Sequence, residues 1–164
     1  MKKIILLLLM LSAVVFAKWE VSTSYTDDGK TANTFTTSEA KTESYLIISV
    51  VLEDADGYSS VNIKNKEIKI GDNLKLDIRD RAGNSVIYNI FSADIRNGEI
   101  LIKDKQTDRG DRLVKMLLSG QSARLYNNDK HLATFNLNKL KKFMRKNVGS
   151  SDWYKYKLRN REKK

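Results

Sequence analysis

From Lys18 to Asn136 the chain alternates short runs of β-branched and aromatic residues with turn-forming clusters, roughly every ten residues. Strands are predicted at Trp19–Tyr25, Ala32–Thr37, Ser44–Leu52, Ser59–Lys64, Leu74–Asp80, Ser85–Phe91, Glu99–Lys103, Ser122–Tyr126 and Leu132–Asn136. Asp27-Asp28-Gly29, Asp56-Gly57, Gly71-Asp72-Asn73, Ala82-Gly83-Asn84 and Asn97-Gly98 separate them, and all contain residues that tolerate a positive φ. Asn97-Gly98 is the sharpest turn signal and predicts a type I′ hairpin. Leu74, Leu76 and Ile78 alternate with Lys75, Asp77 and Arg79, so this strand should have one buried and one wet face. In Tyr45–Leu52 only Ser49 is polar, which predicts a central strand covered on both sides.

Two segments carry a helical period instead. Asp111 is the expected cap of a short helix that aligns Leu113, Val114, Leu117 and Leu118 and stops at Gly120. Asn138 is the expected cap of a second, with Leu140, Phe143 and Met144 on one face and Lys139, Lys141, Lys142, Arg145 and Lys146 on the other. The predicted fold class is mainly β: an antiparallel β-sandwich with one short helix before the last strands and one C-terminal helix.

The first seventeen residues follow a different rule. Lys2 and Lys3 precede an apolar run of about a dozen residues, with small side chains at Val15 and Ala17, the pattern that a signal peptidase reads. A membrane-spanning helix needs ~20 apolar residues, and Lys18 and Glu20 interrupt this run first. The expectation is a cleaved signal peptide at 1–17, a single sandwich domain at 18–147 and a basic aromatic tail at 148–164. The mature chain would then work in a periplasm, at a cell surface or outside the cell. The sequence has no Cys, which excludes a lipid-anchored lipoprotein, a disulfide, thiolate catalysis and a Cys-ligated zinc.

The formal charge of +10 suggests a polyanion binder, and its distribution narrows that reading. Residues 18–138 hold 17 Lys and Arg against 18 Asp and Glu, whereas residues 139–164 hold 11 against 2. The basicity is a C-terminal block on a nearly neutral body, and its long-range attraction is to whatever polyanion is nearby. In an envelope that means anionic lipid, lipopolysaccharide phosphate or an acidic polymer; nucleic acid enters only outside the cell. The candidate contacts for a polyanion or a membrane surface are Lys141, Lys142, Arg145, Lys146, Trp153, Tyr154, Lys155, Tyr156, Lys157, Arg159 and Arg161. The interleaved rings could sit at the headgroup level as a peripheral membrane contact or stack on single strands. Alternatively Trp153, Tyr154 and Tyr156 fold back onto the domain and leave residues 159–164 loose.

The order of pieces also resembles a family. Trp19, then Asp28, Thr31 and Thr34, the apolar Leu46–Val50, Arg79, the run Leu113–Gly120, Ala133–Leu137 and a closing helix with Leu140 and Phe143 resemble secreted proteins of the invasion-associated locus B and TagO/VasI type. The resemblance implies a compact β-sandwich with envelope or secretion-accessory roles, in one branch type VI secretion, and no catalytic centre. Members commonly carry a Cys on the central strand and another after the final helix. This chain has Ser49 or Val50 at the first place and Lys146 or Asn147 near the second.

No catalytic constellation stands out. His131 is the sole His and is expected in an exposed turn, away from any triad. Glu53-Asp54-Ala55-Asp56-Gly57 spaces carboxylates like a calcium loop, but the twelfth residue from Asp54 is Asn65, which cannot supply the bidentate ligand. Arg109-Gly110-Asp111 spells an integrin-type tripeptide in a charged segment entering a helix. Many carboxylates are present, so a glycan hydrolase is the competing class, yet no pair is singled out. The reading is an exported, non-enzymatic envelope or surface binding protein without a cofactor. Its sandwich would contact a protein or polymer partner, and its basic tail would add electrostatic attachment.

Overall fold

A computed structural model of the protein describes residues 18–27, 29–52, 58–103, 108–149 and 152–158. The leader at 1–17, Asp28, the acidic loop 53–57, and Arg159 and Arg161 lie outside the described residues. The alternating pattern forms two antiparallel sheets, the β-sandwich expected from the sequence. The larger sheet contains β1 (Glu20–Tyr25), β2 (Thr31–Glu39), β3 (Ser44–Leu52), β4 (Tyr58–Lys64), β7 (Ile95–Arg96) and β8 (Glu99–Lys103), in the order β1-β2-β3-β4-β8-β7. The smaller contains β5 (Leu74–Arg79), β6 (Ser85–Asn89), β9 (Ser122–Asn127) and β10 (Lys130–Asn136), in the order β10-β9-β5-β6. Helix α1 spans Arg109–Ser119 and α2 spans Leu140–Val148. The two-residue strand β7 escapes a search for alternating runs, because it is too short to show a period.

Register rows build the core. Phe35, Ile48, Val61 and Ile102 stand opposite one another across four strands of the larger sheet, all fully buried. Facing them, Leu76 and Leu125 pair in the smaller sheet, as do Ile78 and Ala123. Helix α1 adds Leu113, Val114, Leu117 and Leu118, and α2 adds Leu140 and Met144, to the same cluster. Burying a side chain of this size contributes about 1.5–3 kcal/mol, so one shared core is what holds the sheets and both helices together. Trp19 ties the N-terminal end to the other sheet, its indole N–H donating to the Asn136 carbonyl at 3.2 Å.

Several local expectations are corrected. Strand β3 is central, as predicted, but only one of its faces is fully covered. Leu46, Ile48 and Val50 are buried, whereas Ile47 and Ser49 are half-buried and Tyr45 is 45 % exposed. Residues on the open side are shielded laterally by their neighbours, Ile47 by Thr36 and Asn62 in register, so an apolar run did not require a second layer. In β5 the reverse occurs: Asp77, expected on the wet face, is only 5 % exposed. It sits on an inner strand between Ile87 and Arg124 in register and pairs with Arg79, whose Nε donates to Oδ2 at 2.8 Å.

The caps and one turn also differ. Asp108 occupies the cap position of α1, and Asp111 lies in its first turn, turned toward the sheet. Lys139, with a φ of +69°, occupies the cap position of α2, while the Asn138 N–H is taken by the Asn136 side chain at 2.8 Å. The hairpin at Asn97-Gly98 does form, with Arg96 opposite Glu99, but Gly98 alone of the two central residues has a positive φ. That is the demand of a type II turn, not of type I′. The Gly98 N–H donates to Ile68 and its carbonyl accepts from Asn65, so the preceding loop selects the turn.

The Arg-Gly-Asp tripeptide is absorbed into the fold. Asp111 accepts a hydrogen bond from the Ser59 hydroxyl on β4, and Arg109 pairs with the buried Asp94 and lies 4.4 Å over the Phe91 ring. Gly110 between them rests on the Ser59 carbonyl, where a Cβ would overlap the oxygen. Gly110 and Asp111 set α1 on β4 of the larger sheet, and Arg109 ties it to the Phe91–Asp94 segment that precedes β7.

Candidate polyanion-binding face

The basic C-terminal block is a folded surface over much of its length. Leu140 and Met144 turn inward, Phe143 and Val148 pack partly on the core, and Lys142, Arg145 and Lys146 are left on the exposed side of α2. After Gly149 the chain returns. A 3-10 turn at Asp152–Lys155 packs against α1, Trp153 and Tyr156 are half-buried against the core, and Leu158 is only 4 % exposed. The Ser119 hydroxyl donates to the Tyr156 carbonyl at 2.7 Å. The packed body therefore reaches Leu158, past the boundary at 147 expected from the sequence. Of the alternatives for the aromatic residues, Trp153 and Tyr156 fold back onto the domain; the side chain of Tyr154 lies outside the described residues.

This return brings cations together. Lys157 arrives beside α2, and burial together with the charges of Arg145 and Lys157 holds the Lys141 ammonium below its ordinary pKa. Lys155 is engaged differently, in an exposed pair with Asp152 at 2.8 Å that raises its own pKa and lowers that of the carboxyl. The first turn of α2 holds no acidic residue, although Lys141 and Lys142 stand there. Cations at that end oppose the helix dipole, whereas Arg145 and Lys146 in the last turn complement it. A positive first turn weakens α2 slightly, and a local conflict of this kind concentrates at functional sites.

Beside that turn an open cleft of about 440 Å³ lies between three parts of the fold. The β5–β6 turn contributes Asp80, Arg81 and Ala82; the end of α1 contributes Leu118, Ser119 and Gly120; the entry to α2 contributes Leu137, Asn138, Lys139 and Lys141, with Gln121 between. Asp80 is the one acid lining it, and its carboxylate is turned back on its own turn. Its oxygens accept from the Asn84 backbone N–H at 2.9 Å and the Asn84 side-chain amide at 2.8 Å, which holds its pKa below the usual carboxylate range. A glycosidase needs two carboxylates facing one bond, and this cleft supplies one.

Sequence reasoning identified Lys141 and missed Arg81 and Lys139 as its companions. Lys139 was visible as part of the basic block, whereas Arg81 sits in a turn whose proximity to α2 only the packed structure creates. His131 is exposed on β10; its Nε2 lies 2.8 Å from the Thr134 hydroxyl and its ring meets Tyr126 edge-on. The acidic loop read against a calcium site lies outside the described residues. No helix among the described residues is long and apolar enough to cross a membrane.

No protein-family model matches the chain, nor does any curated protein or solved structure.

Proposed function

We propose that this is an exported, non-enzymatic envelope or surface binding protein. Its basic face attaches it to an acidic envelope polymer or to anionic lipid, and its sandwich contacts a protein or polymer partner. The observation that carries the reading is the face of α2 that leaves Lys142, Arg145 and Lys146 exposed together while Leu140 and Met144 are buried on the other side. A surface that presents several cations together attracts anionic partners. The leader pattern of residues 1–17 supports export. For the sandwich contact, β1 is an edge strand exposed from Ser22 to Tyr25 and can accept an extended segment of a partner.

The test is flotation of the mature chain with vesicles of anionic or neutral lipid, and retention on an immobilised acidic polymer, at low and high salt. Binding that falls steeply with salt, and falls again in a Lys142→Gln, Arg145→Gln, Lys146→Gln triple variant, supports the reading. Equal binding to neutral and anionic surfaces, or no response to the triple variant, refutes it. Truncation after Asn147 is unsuitable here, because it also removes Leu158 from the core.

A further inference from the structure

We infer that β1 pairs edge to edge with the β1 of a second copy of this chain, across a two-fold axis that joins the two larger sheets into one. The inference rests on the reading of β1 as the contact edge of the sandwich and names the partner it takes.

An edge strand leaves alternate N–H and C=O groups without a ladder partner, and proteins blunt such edges with charge, a bulge or brevity. β7 is only two residues long, and β10 holds a register shift between His131 and Ala133 beside the exposed Lys130. β6 is half-buried at Ser85, Val86 and Tyr88. β1 differs from all three: it pairs with β2 at six successive positions without a shift, and its stretch Val21–Tyr25 carries no charge. Ser22, Thr23, Ser24 and Tyr25 are exposed, Tyr25 at 79 %.

A two-fold axis perpendicular to the sheet makes the two β1 strands antiparallel and keeps the core-side faces of both copies on one side. Because side chains alternate along a strand, residues that face each other across the axis must then be both odd or both even in number. Val21 stands opposite the core residue Phe35, so Val21, Thr23 and Tyr25 occupy the core side, and Glu20, Ser22 and Ser24 the other. The register centred on Thr23 sets Val21 of each copy against Tyr25 of the other, an aromatic and β-branched pair of the kind that stabilises neighbouring strands. It sets Ser22 against Ser24 and leaves the two Glu20 carboxylates at opposite ends. The edge is therefore complementary to itself: the pairing covers an exposed ring and opposes no like charges.

The experiment is sedimentation equilibrium of the full mature chain over a range of concentrations, and the expected result is a monomer–dimer equilibrium. Both copies are net positive, so added salt should strengthen the dimer, the reverse of its effect on attachment to an anionic surface. The double variant Ser22→Lys, Ser24→Lys opposes like charges twice across the axis and should weaken the dimer by about tenfold. Ser22→Glu, Ser24→Glu should do the same, and mixing the two double variants should restore a dimer with one chain of each. The chain has no Cys, so Thr23→Cys supplies a single thiol that meets its own copy at the axis. Facing residues of antiparallel strands have Cα atoms about 4.5–5.5 Å apart, a span that a disulfide bridges. Mild oxidation should link Thr23→Cys into a dimer and leave Asn89→Cys, exposed on β6, unlinked.

A mass that stays monomeric up to roughly 1 mM protein overturns the pairing. So does a dimer indifferent to both double variants, or a Thr23→Cys chain that links no faster than Asn89→Cys. A monomer whose capture of envelope material is nonetheless lost in the Ser22→Lys, Ser24→Lys variant overturns the second copy and leaves β1 as the contact edge. Retention of the parent chain on anionic vesicles is measured alongside. A monomer that is retained overturns the pairing alone, whereas a dimer that is not retained upholds the pairing and removes the attachment role.

Discussion

The hydroxyl of Ser119, at the last turn of α1, donates to the carbonyl oxygen of Tyr156 at 2.7 Å, with the Lys115 carbonyl as a second acceptor at 3.0 Å. This bond, with Leu158 buried beyond it, fastens the returning C-terminal segment to the body and sets Lys157 beside Lys141. Residues 152–158 are therefore expected to contribute to stability. Leu158→Ala should cost about 2 kcal/mol or more, the range for emptying a buried leucine site. Urea unfolding monitored by tryptophan fluorescence reads this directly. A midpoint equal to that of the parent chain would mean the segment is not packed in solution.

Gly110 has no room for a side chain, because a Cβ would meet the backbone carbonyl of Ser59, which cannot swing aside like a flexible chain end. Gly110→Ala is expected to destabilise by about 1–3 kcal/mol through overpacking, despite the higher helix propensity of Ala. Thermal denaturation of the two proteins gives the answer. An unchanged or raised midpoint would show that α1 does not rest on β4 as described.

Thr37 offers the opposite sign. It is 1 % exposed in the larger sheet, and its hydroxyl has no hydrogen-bond partner among the described residues. A buried, unsatisfied hydroxyl is costly, and Val has nearly the same shape and a better strand propensity. Thr37→Val should therefore stabilise the protein by about 1 kcal/mol, seen as a higher urea midpoint with unchanged slope.

Asp80 predicts a dependence on pH. The Asn84 side-chain amide, aided by backbone N–H groups of the turn, holds its carboxyl below the ordinary value. A depressed carboxylate pKa contributes stability that is fully present above the unfolded value of about 3.9. That contribution is lost as pH falls through the folded value. Asp80→Ala should lower the unfolding midpoint near neutral pH, and the gap to the parent chain should narrow as the pH falls below the unfolded value of about 3.9. A gap that persists undiminished in acid would mean the carboxylate charge is not what the turn uses.

Much of this architecture follows from local pattern, for physical reasons visible in particular residues. Leu74, Leu76 and Ile78 alternate because successive strand side chains point to opposite faces, so the period marks both the strand and its buried side. Ser44–Leu52 and Glu99–Lys103 were placed to the residue, since turn formers bound them sharply. Asp77 and Tyr45 escaped the same logic. How far each is covered depends on its lateral neighbours, Ile87 and Arg124 for Asp77, Lys64 for Tyr45, and strand adjacency is not written in either strand's own period.

The sequence by itself determined the β-rich fold class, the positions of nearly all strands and both helices, and the concentration of net positive charge in the C-terminal block. Tertiary structure alone decided which of those charges meet. The block is basic whether or not it packs. Tyr156 and Leu158 fasten the returning segment to the body, and the packing of the β5–β6 turn beside the entry to α2 places Arg81 in one cleft with Lys139 and Lys141. Such meetings arise from burial and hydrogen bonding between elements distant in the chain, which no local periodicity encodes.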